Sequence, residues 1–329
     1  MPARHVGEHT GIAFDPAAGV TVLDPPAAGP GNWTGACDVI RDAKSGSYYM
    51  YARTRRAADP ADPDQRGSRI GVYKSDDGIA FRQIWSEHRS SFDTASMEKA
   101  SLSILKDGRR RLYLSYESPG GYWQIDLLEA DSFENLDASS RRILLTPADV
   151  GSYQVKDPIA IEYDGVVLLY ANYGVSDGGE AAGLAVSEDG YTFRWHGRVL
   201  EESAAGRWDC WSSRATGVVR VGASWYMFYD GAGARSECFE EQAGVAVGDS
   251  PFAFSRLTVE GPLAPGEPRG RVVYNSGRTL ASVGGCRYLT PIAAPDGFSY
   301  LFYYEWTRPD GSHEVRMSRA DISPNTALL

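Results

Sequence analysis

Two aspartates stand where apolar strands are expected to begin. Asp38 opens the segment "DVIRDAKSGSYYMYA" and Asp157 opens "DPIAIEYDGVVLLYA". A buried charge without a partner is strongly destabilising, so a carboxylate in such a place is either satisfied by a neighbour or kept for chemistry. The two segments have equal length, and their Asp, Gly, Tyr and Ala residues align without a gap. We therefore expect both carboxylates to occupy the same position in repeated units.

Other chemically active residues cluster around these positions when further segments are aligned. The alignment predicts Ala100, Arg214 and Leu289 as the equivalents of the two aspartates in three other units. Carboxylates, guanidinium groups and aromatic rings together suit a polyhydroxylated ligand, because they bind hydroxyl groups and cover the C–H face of a sugar ring. The residues predicted to lie near the aspartates are Arg53, Arg55, Glu98, Lys99, Glu117, Lys156, Tyr173, Asp209, Trp211, Asp230, Glu237, Glu240, Glu241, Glu305 and Trp306.

Recurrent segments indicate how the chain would bring such distant residues together. Residues 71–81, 183–193 and 244–254 each contain a short apolar strand, a turn with Asp and Gly or Pro, and a second strand start ending in Phe. This is the pattern of a β-hairpin. The spacing of the segments fits a repeat of about 60 residues, of which five cover the chain.

Each repeat is predicted to contain four strands, and no long window shows helical periodicity. Five four-stranded antiparallel sheets arranged radially form a five-bladed β-propeller, here a single domain over residues 1–329. Residues 11–23 are expected to supply the outer strand of the last blade. A two-sheet sandwich is the alternative, but it fits the repeat length poorly. In a propeller the first residues of all innermost strands converge at one mouth, which would place Asp38 and Asp157 side by side.

Composition narrows the range of partners. The net charge of -10 and the absence of a Lys/Arg-rich block argue against nucleic acid as a ligand. No window approaches the apolar length of a membrane span, and the N-terminus lacks the apolar region of a signal peptide, so we expect a cytoplasmic protein with no membrane partner.

The four cysteines lack a CxxC spacing, which favours free, mostly buried thiols. His196 and His313 stand alone, so no metal site or other cofactor is predicted, although a channel ion such as calcium is compatible with the fold.

Together, the five repeats, the "CDVI" start at Asp38 and the "KDP" triplet at Asp157 resemble the five-bladed propeller glycoside hydrolases of families 43, 62, 32, 68 and 130. The resemblance implies that Asp38 is the general base or nucleophile and that Asp157 orients the general acid and tunes its pKa. It also implies that a glutamate is the acid, and Glu98 is the best candidate. The chain departs from the family in two ways: Glu98 comes before Asp157, and Val39 replaces a proline after Asp38. Glu240 and Glu241 therefore remain alternative acids.

The sequence thus predicts a glycoside hydrolase or transglycosidase that acts on a small glycoside or oligosaccharide. Two carboxyl groups would flank the anomeric carbon, one protonated and one ionised. Two alternatives stay open. One is a propeller that binds a carbohydrate or metabolite without catalysis, and the other is a biosynthetic enzyme with non-hydrolytic chemistry on the same scaffold. The predicted catalytic set is Asp38, Asp157 and Glu98, and the predicted substrate contacts are Arg53, Arg55, Lys99, Lys156, Asp209, Trp211, Arg214, Glu240 and Glu305.

Overall fold

The structure is a computed structural model that describes residues 10–12, 15–57, 67–238, 240–264, 272–273, 279–280 and 283–322. Over this part of the chain the protein is built almost entirely from β-strands, as the sequence predicts. One four-residue α-helix, α1 (Pro147–Val150), joins two strands, and the other helical pieces are single 3₁₀ turns. No helix among the described residues is long and apolar enough to cross a membrane.

Most strands fall into five antiparallel units, each formed by strands that follow one another along the chain. After β1 (Val20–Leu23), unit 1 contains β2 (Trp33–Arg41), β3 (Tyr48–Arg55), β4 (Arg69–Ser75) and β5 (Arg82–His88). Unit 2 contains β6 (Met97–Ile104), β7 (Arg110–Glu117), β8 (Trp123–Ala130) and β9 (Arg142–Leu145). Unit 3 contains β10 (Val155–Tyr163), β11 (Val166–Gly174), β12 (Glu180–Ser187) and β13 (Arg194–Arg198).

The remaining units follow the same plan. Unit 4 contains β14 (Ser212–Val221), β15 (Ser224–Ala232), β16 (Gln242–Ser250) and β17 (Ala253–Arg256). A short pair, β18 (Val272–Val273) and β19 (Thr279–Leu280), precedes unit 5. Unit 5 contains β20 (Cys286–Ala293), β21 (Tyr300–Thr307) and β22 (His313–Ala320). Its fourth strand is β1, which pairs antiparallel with β22 so that Val20 faces Met317.

Apolar side chains of neighbouring units pack together in five clusters. Because successive residues of a strand point to opposite faces, β3 sends Tyr51 towards unit 2 and Met50 towards unit 5. Further clusters join unit 2 to unit 3, unit 3 to unit 4 and unit 4 to unit 5. Burial on both faces explains why runs such as "VVLLYA" in β11 are continuously apolar rather than alternating.

The hairpins predicted from residues 71–81, 183–193 and 244–254 are present as β4–β5, β12–β13 and β16–β17. Aspartates hold two of these turns. Asp77 Oδ1 accepts hydrogen bonds from the backbone N–H groups of Ile79 and Ala80, both at 2.8 Å. Asp189 Oδ1 accepts from Tyr191 and Thr192, both at 2.7 Å. We call this end of the units the hairpin end and the opposite end, where the first strands begin, the bulge end.

Candidate functional site

A β-bulge interrupts the first strand of every unit near its start. In units 1, 3 and 5 the bulge contains a non-glycine residue with left-handed backbone geometry, at Ala36 (φ 52°), Asp157 (φ 55°) and Tyr288 (φ 51°). Such a conformation costs of order 1–3 kcal/mol and is concentrated at functional sites. Bulges also re-aim side chains relative to the regular strand. Three of the five bulges therefore hold a non-glycine residue in an unfavourable backbone conformation.

The strand register corrects the predicted equivalence of the five aligned positions. Asp38 and Ala100 are the first paired residues after their bulges, whereas Asp157 and Leu289 lie inside theirs. Arg214 pairs with a residue of β15 ahead of the bulge in unit 4. The gap-free alignment was wrong because residues 42–47 connect β2 to β3, whereas only residues 164–165 connect β10 to β11.

Asp157 is 1 % exposed, and neither oxygen of its carboxyl group has a hydrogen-bond partner among the described residues. Its backbone N–H donates to Ser115 Oγ at 3.2 Å, which fixes the residue against unit 2. Burial is the main cause of the raised pKa of Tyr51 and of Tyr288, and the charge of Asp157 adds to both shifts. Asp157 thus lies close to both phenol groups and has unused hydrogen-bonding capacity.

Asp38, in contrast, is fully engaged by unit 2. Its Oδ1 lies 3.3 Å from the ammonium group of the buried Lys99, and its Oδ2 accepts from Ser101 Oγ (3.2 Å) and from the backbone N–H of Leu102 (2.8 Å). Ser101 Oγ also accepts from the N–H of Ala160 in unit 3 at 3.0 Å. These contacts tie three units together.

Glu98 lies between two guanidinium groups from the end of β3. Its Oε2 contacts Arg53, and its Oε1 lies 2.6 Å from Arg55 Nη2. Two positive partners stabilise the carboxylate form, whereas a general acid must carry a proton. Glu98 therefore reaches the predicted cluster but is poorly prepared, in this arrangement, to donate a proton.

Unit 5 contributes a buried ion-pair group around Glu305. Arg53 and Arg287 lie on either side of its carboxylate, each 3.9 Å away, and His313 Nδ1 lies at 3.5 Å. Burial acts to raise the pKa of Glu305, but the His313 contact and the two arginines lower it to about 2. Trp33 stacks on His313 with ring centroids 3.8 Å apart. Glu305 is therefore an ionised carboxylate that holds cations in place.

A second buried ion-pair group connects units 3, 4 and 5. Arg214 lies 2.9 Å from Glu241 Oε1, and Arg287 lies 3.0 Å from Glu241 Oε2. Burial acts to raise the pKa of Glu241, but these arginines lower it. Glu180 bridges Arg214 (3.5 Å) and Lys156 (2.9 Å). Although burial acts to lower the pKa of Lys156, the carboxylates of Glu180 and then Asp157 raise it, so the ammonium group stays charged.

Asp230 differs from the other carboxyl groups of these ion-pair groups. It is completely buried, and its oxygens accept from the backbone N–H of Tyr288 at 3.1 and 3.3 Å. Burial raises the pKa of Asp230 to about 7, even though Arg287 and Arg214 oppose the shift. Asp230 can therefore hold a proton near neutral pH. The ring of Tyr288 lies between the same arginines, 5.8 Å from Arg214 and 5.3 Å from Arg287.

Three predicted substrate contacts, Asp209, Trp211 and Glu240, have partners outside these ion-pair groups. Asp209 is buried against Arg256, whose Nε lies 2.7 Å from Oδ2, and it also accepts from Tyr229. Trp211 donates to the backbone oxygen of Asp177 at 3.2 Å. Asp209 and Trp211 line a small cavity between units 3 and 4 that Glu180 also borders. Glu240 is half-buried, and its backbone N–H donates to the carbonyl oxygen of Glu237 at 2.7 Å.

The remaining predicted catalytic residues and substrate contacts reach the bulge end, as do Asp230 and Glu241, and together with the residues that the sequence missed they form one set. We call this set the charged cluster. The missed members are Arg287, Tyr288, Glu180, His313 and Trp33. Arg287 and Tyr288 directly precede the aligned Leu289, so a search of the positions just before each alignment point would have found them. The charged cluster contains Trp33, Asp38, Arg53, Arg55, Glu98, Lys99, Lys156, Asp157, Glu180, Arg214, Asp230, Glu241, Arg287, Tyr288, Glu305 and His313.

Among the described residues no three His, Cys, Asp or Glu side chains are grouped in a way that could hold a metal ion. All four cysteines are unpaired; Cys37 and Cys286 are buried. The charged cluster can instead bind hydroxyl groups, balance charge and move protons between carboxyl groups with different pKa values.

Comparison with solved structures identifies the fold. The chain is similar to a thermostable family-43 glycoside hydrolase, with 15% identity, a TM-score of 0.61 and 93% of this chain aligned to 97% of that one. It is similar to the GH43_1 enzyme from Xanthomonas citri complexed with xylose, with 14% identity, a TM-score of 0.62 and 91% of this chain aligned to 90% of that one. RS223-Beta-xylosidase aligns at 12% identity with a TM-score of 0.64, over 94% of this chain and 97% of that one. No family model matches the sequence, and no curated protein matches it.

The chain therefore has the fold of the family-43 glycoside hydrolases along nearly its whole length, as its resemblance to that family predicts. Identities of 12–15% are too low to transfer an activity. What the chain does has to be argued from its own residues.

Proposed function

We propose that the protein is a five-bladed β-propeller glycosidase that hydrolyses or transfers the glycosyl group of a small neutral glycoside. Units 1 to 5 are the blades, and β1 closes the last of them. Two observations support this architecture. Each unit is an antiparallel set of four strands, and the apolar clusters link every unit to the next and unit 5 back to unit 1. Pentosides are the first substrates to test, because one similar structure contains xylose and another contains xylotriose.

The observation that carries the proposal is the state of Asp157. A buried carboxyl group with two unpartnered oxygens, on a strained backbone, is maintained against a free-energy cost. Hydroxyl groups of a saccharide would supply the missing hydrogen bonds at this end of the molecule. An aspartate that closes a turn, such as Asp77 at the hairpin end, instead accepts hydrogen bonds from backbone N–H groups of its own turn.

The candidate catalytic residues have distinct tasks in this proposal. Asp38, which pairs with the buried Lys99, is the general base or nucleophile. Asp157 orients the acid and tunes its pKa, as the family resemblance implies, and its free oxygens bind the substrate. Glu98 acts as the acid only after substrate displaces one of its two arginines. Asp230 is the alternative acid, because burial already lets it hold a proton near neutral pH.

One observation favours a second function, the binding of a carbohydrate without catalysis. Three glutamates of the charged cluster, Glu98, Glu241 and Glu305, are all engaged by arginines. An arrangement with no accessible proton donor would still bind sugar hydroxyl groups.

Hydrolysis assays separate the two functions. The wild-type protein and the Asp38→Asn variant are incubated with aryl β-xylosides, aryl α-arabinofuranosides and short neutral oligosaccharides. The glycosidase proposal predicts turnover by wild type and a loss of about a thousandfold in Asp38→Asn. Asp189→Asn, which changes a hairpin-end aspartate, is the matched control and should keep wild-type turnover. Binding of xylose by calorimetry without any turnover would instead support the carbohydrate-binding function.

A further inference from the structure

Unit 2 carries a second polar depression that lies outside the charged cluster. It opens beside the loop that connects β7 to β8, at the same end of the unit as the bulges. Buried polar groups form its floor, and exposed side chains form its rim. The lining includes Tyr116, Ser118, Tyr122, Gln124, Asp126 and Ile143.

The floor is a hydrogen-bonded set around Asp126, which is 1 % exposed. Tyr116 donates its hydroxyl proton to Asp126 Oδ2 at 2.9 Å, and Gln124 donates its amide to Oδ1 at 2.6 Å. The only cation that pairs with Asp126 among the described residues is Arg141, at 3.8 Å. Burial raises the pKa of Asp126, although Gln124 and Tyr116 oppose the shift. A carboxyl group with this little charge compensation retains acceptor capacity for a ligand hydroxyl group.

Ser118 provides an independent sign of a missing partner. The residue is 6 % exposed, and its hydroxyl group is buried without a hydrogen-bond partner among the described residues. The backbone of Ser118 is fixed, because its N–H donates to the carbonyl oxygen of Tyr122 and its carbonyl oxygen accepts from the N–H of Gly121. A buried hydroxyl group left unpaired is destabilising by about 1–3 kcal/mol. Packing alone therefore does not explain a serine at this position.

The rim is apolar. Tyr122 is 39 % exposed and Ile143 is 58 % exposed, although both line the depression. Apolar rim and polar floor together match a ligand that has one hydroxylated edge and one C–H face. A phosphate or carboxylate ligand would meet the buried charge of Asp126, and a purely apolar ligand would leave Ser118 and Asp126 without solvent.

We propose that this depression is a second saccharide-binding site, which takes one unit of a neutral oligosaccharide. Tyr122 and Ile143 cover the C–H face of the sugar ring, and Ser118, Gln124 and Asp126 bind its hydroxyl groups. The site would hold a carbohydrate chain near the charged cluster, since Trp123, next to the loop, lies under Lys156 with the ammonium nitrogen 5.5 Å from the ring centroid. Binding here does not depend on the glycosidase activity.

Titration calorimetry tests this site with xylotriose, cellotriose and maltotriose as separate probes. We expect Tyr122→Ala to weaken binding of at least one of these trisaccharides about tenfold. Gly120→Ala should have a similar effect while it keeps the tyrosine, because a Cβ at this position would lie 2.7 Å from the Tyr122 ring and displace it. Phe252→Ala is the matched control, since Phe252 is equally exposed (38 %) but lies at the hairpin end.

Ser118→Ala distinguishes a ligand site from a packing role. Removal of an unpaired buried hydroxyl group should leave the melting temperature unchanged or raise it, whereas loss of a sugar contact should weaken trisaccharide binding severalfold. Turnover of a monomeric aryl glycoside, if wild type has it, should stay within twofold in all these variants. The proposal is overturned if wild type, Tyr122→Ala, Gly120→Ala and Ser118→Ala have the same affinity for every probe, or if no probe binds any of them.

Discussion

Aspartates at the hairpin end accept backbone hydrogen bonds, whereas Asp157 at the bulge end accepts none from the described residues. The backbone hydrogen bonds lower the pKa of Asp77 and Asp189, and both residues serve to close turns. The carboxyl group of Asp157 lies instead in a strained bulge, with buried phenol and ammonium groups nearby.

The comparison teaches that residue type alone does not separate structural from functional aspartates. Local backbone donors satisfy a carboxylate within two or three residues of chain, which is how an Asp-Gly turn is stabilised. A bulge re-aims the side chain away from such donors, so it must find distant partners or a ligand. Substitutions at the two ends of the molecule test this contrast.

Replacement of Asp157 should separate activity from stability. In Asp157→Asn we expect turnover of a cleavable glycoside to fall about a thousandfold, because the variant keeps the shape but loses the charge. The melting temperature should stay equal to that of wild type or rise, because the variant removes a buried charge without hydrogen-bond partners. Asp189→Asn should do the opposite, with unchanged turnover and a lower melting temperature. Equal effects of the two substitutions on both measurements would refute the contrast.

Arg287 holds together carboxylates of two units, so its loss should destabilise the whole bulge end. Arg287→Ala leaves Glu241 and Glu305 with one cation fewer, and we expect the free energy of unfolding to fall by about 3–5 kcal/mol. Denaturation in urea measures this change. Arg319→Ala, which breaks an exposed pair with Asp296 near the hairpin end, should leave the unfolding midpoint nearly unchanged. Similar midpoint shifts in both variants would show that the buried ion pairs stabilise the fold no more than the exposed pair does.

Asp230 should make stability depend on pH. Its pKa is about 7 in the folded protein against 3.8 for the unperturbed group, so the folded state binds the proton more tightly. Its contribution to stability is therefore complete below pH 3.8 and is lost as the pH rises through about 7. Asp230→Asn should remove this loss. The melting temperature of the variant minus that of wild type should therefore be larger at about pH 8 than at about pH 5. A difference independent of pH would show that Asp230 is ionised throughout.

Tyr288→Phe tests another strained bulge residue and should have the smallest effect. Loss of one substrate hydrogen bond from the phenol should lower kcat/KM about tenfold. Tyr170→Phe is the control, because Tyr170 donates to the carbonyl oxygen of Pro251 in the turn between β16 and β17, at the hairpin end. If both variants retain wild-type kcat/KM, the bulge position of Tyr288 has only a structural role.

The sequence predicts the β-strands, the hairpins and most residues of the charged cluster because these depend on local patterns. Hairpin turns are encoded by adjacent Asp and Gly residues, and the apolar runs identify buried strands. The bulges are not encoded in this way. A connection of six residues in unit 1 and two in unit 3 shifts the register, and the gap-free alignment of Asp38 with Asp157 conceals that shift.

Long-range electrostatics was also beyond the sequence. His313 is isolated along the chain, yet the parallel pairing of β2 with β22 places it on Trp33 and next to Glu305. The two arginines on Glu98 could not be foreseen either, because a repeat alignment places residues at one end of the fold without fixing which charges pair.

A structure of the protein soaked with xylose would show whether carboxyl groups of several units converge at the bulge end to hold a saccharide. We predict a sugar whose hydroxyl groups lie about 2.7 Å from the Asp157 oxygens, with the anomeric carbon within about 4 Å of the Asp38 carboxylate. A sugar bound only away from the charged cluster, or Asp38 and Asp157 side chains that face separate compartments, would contradict the account.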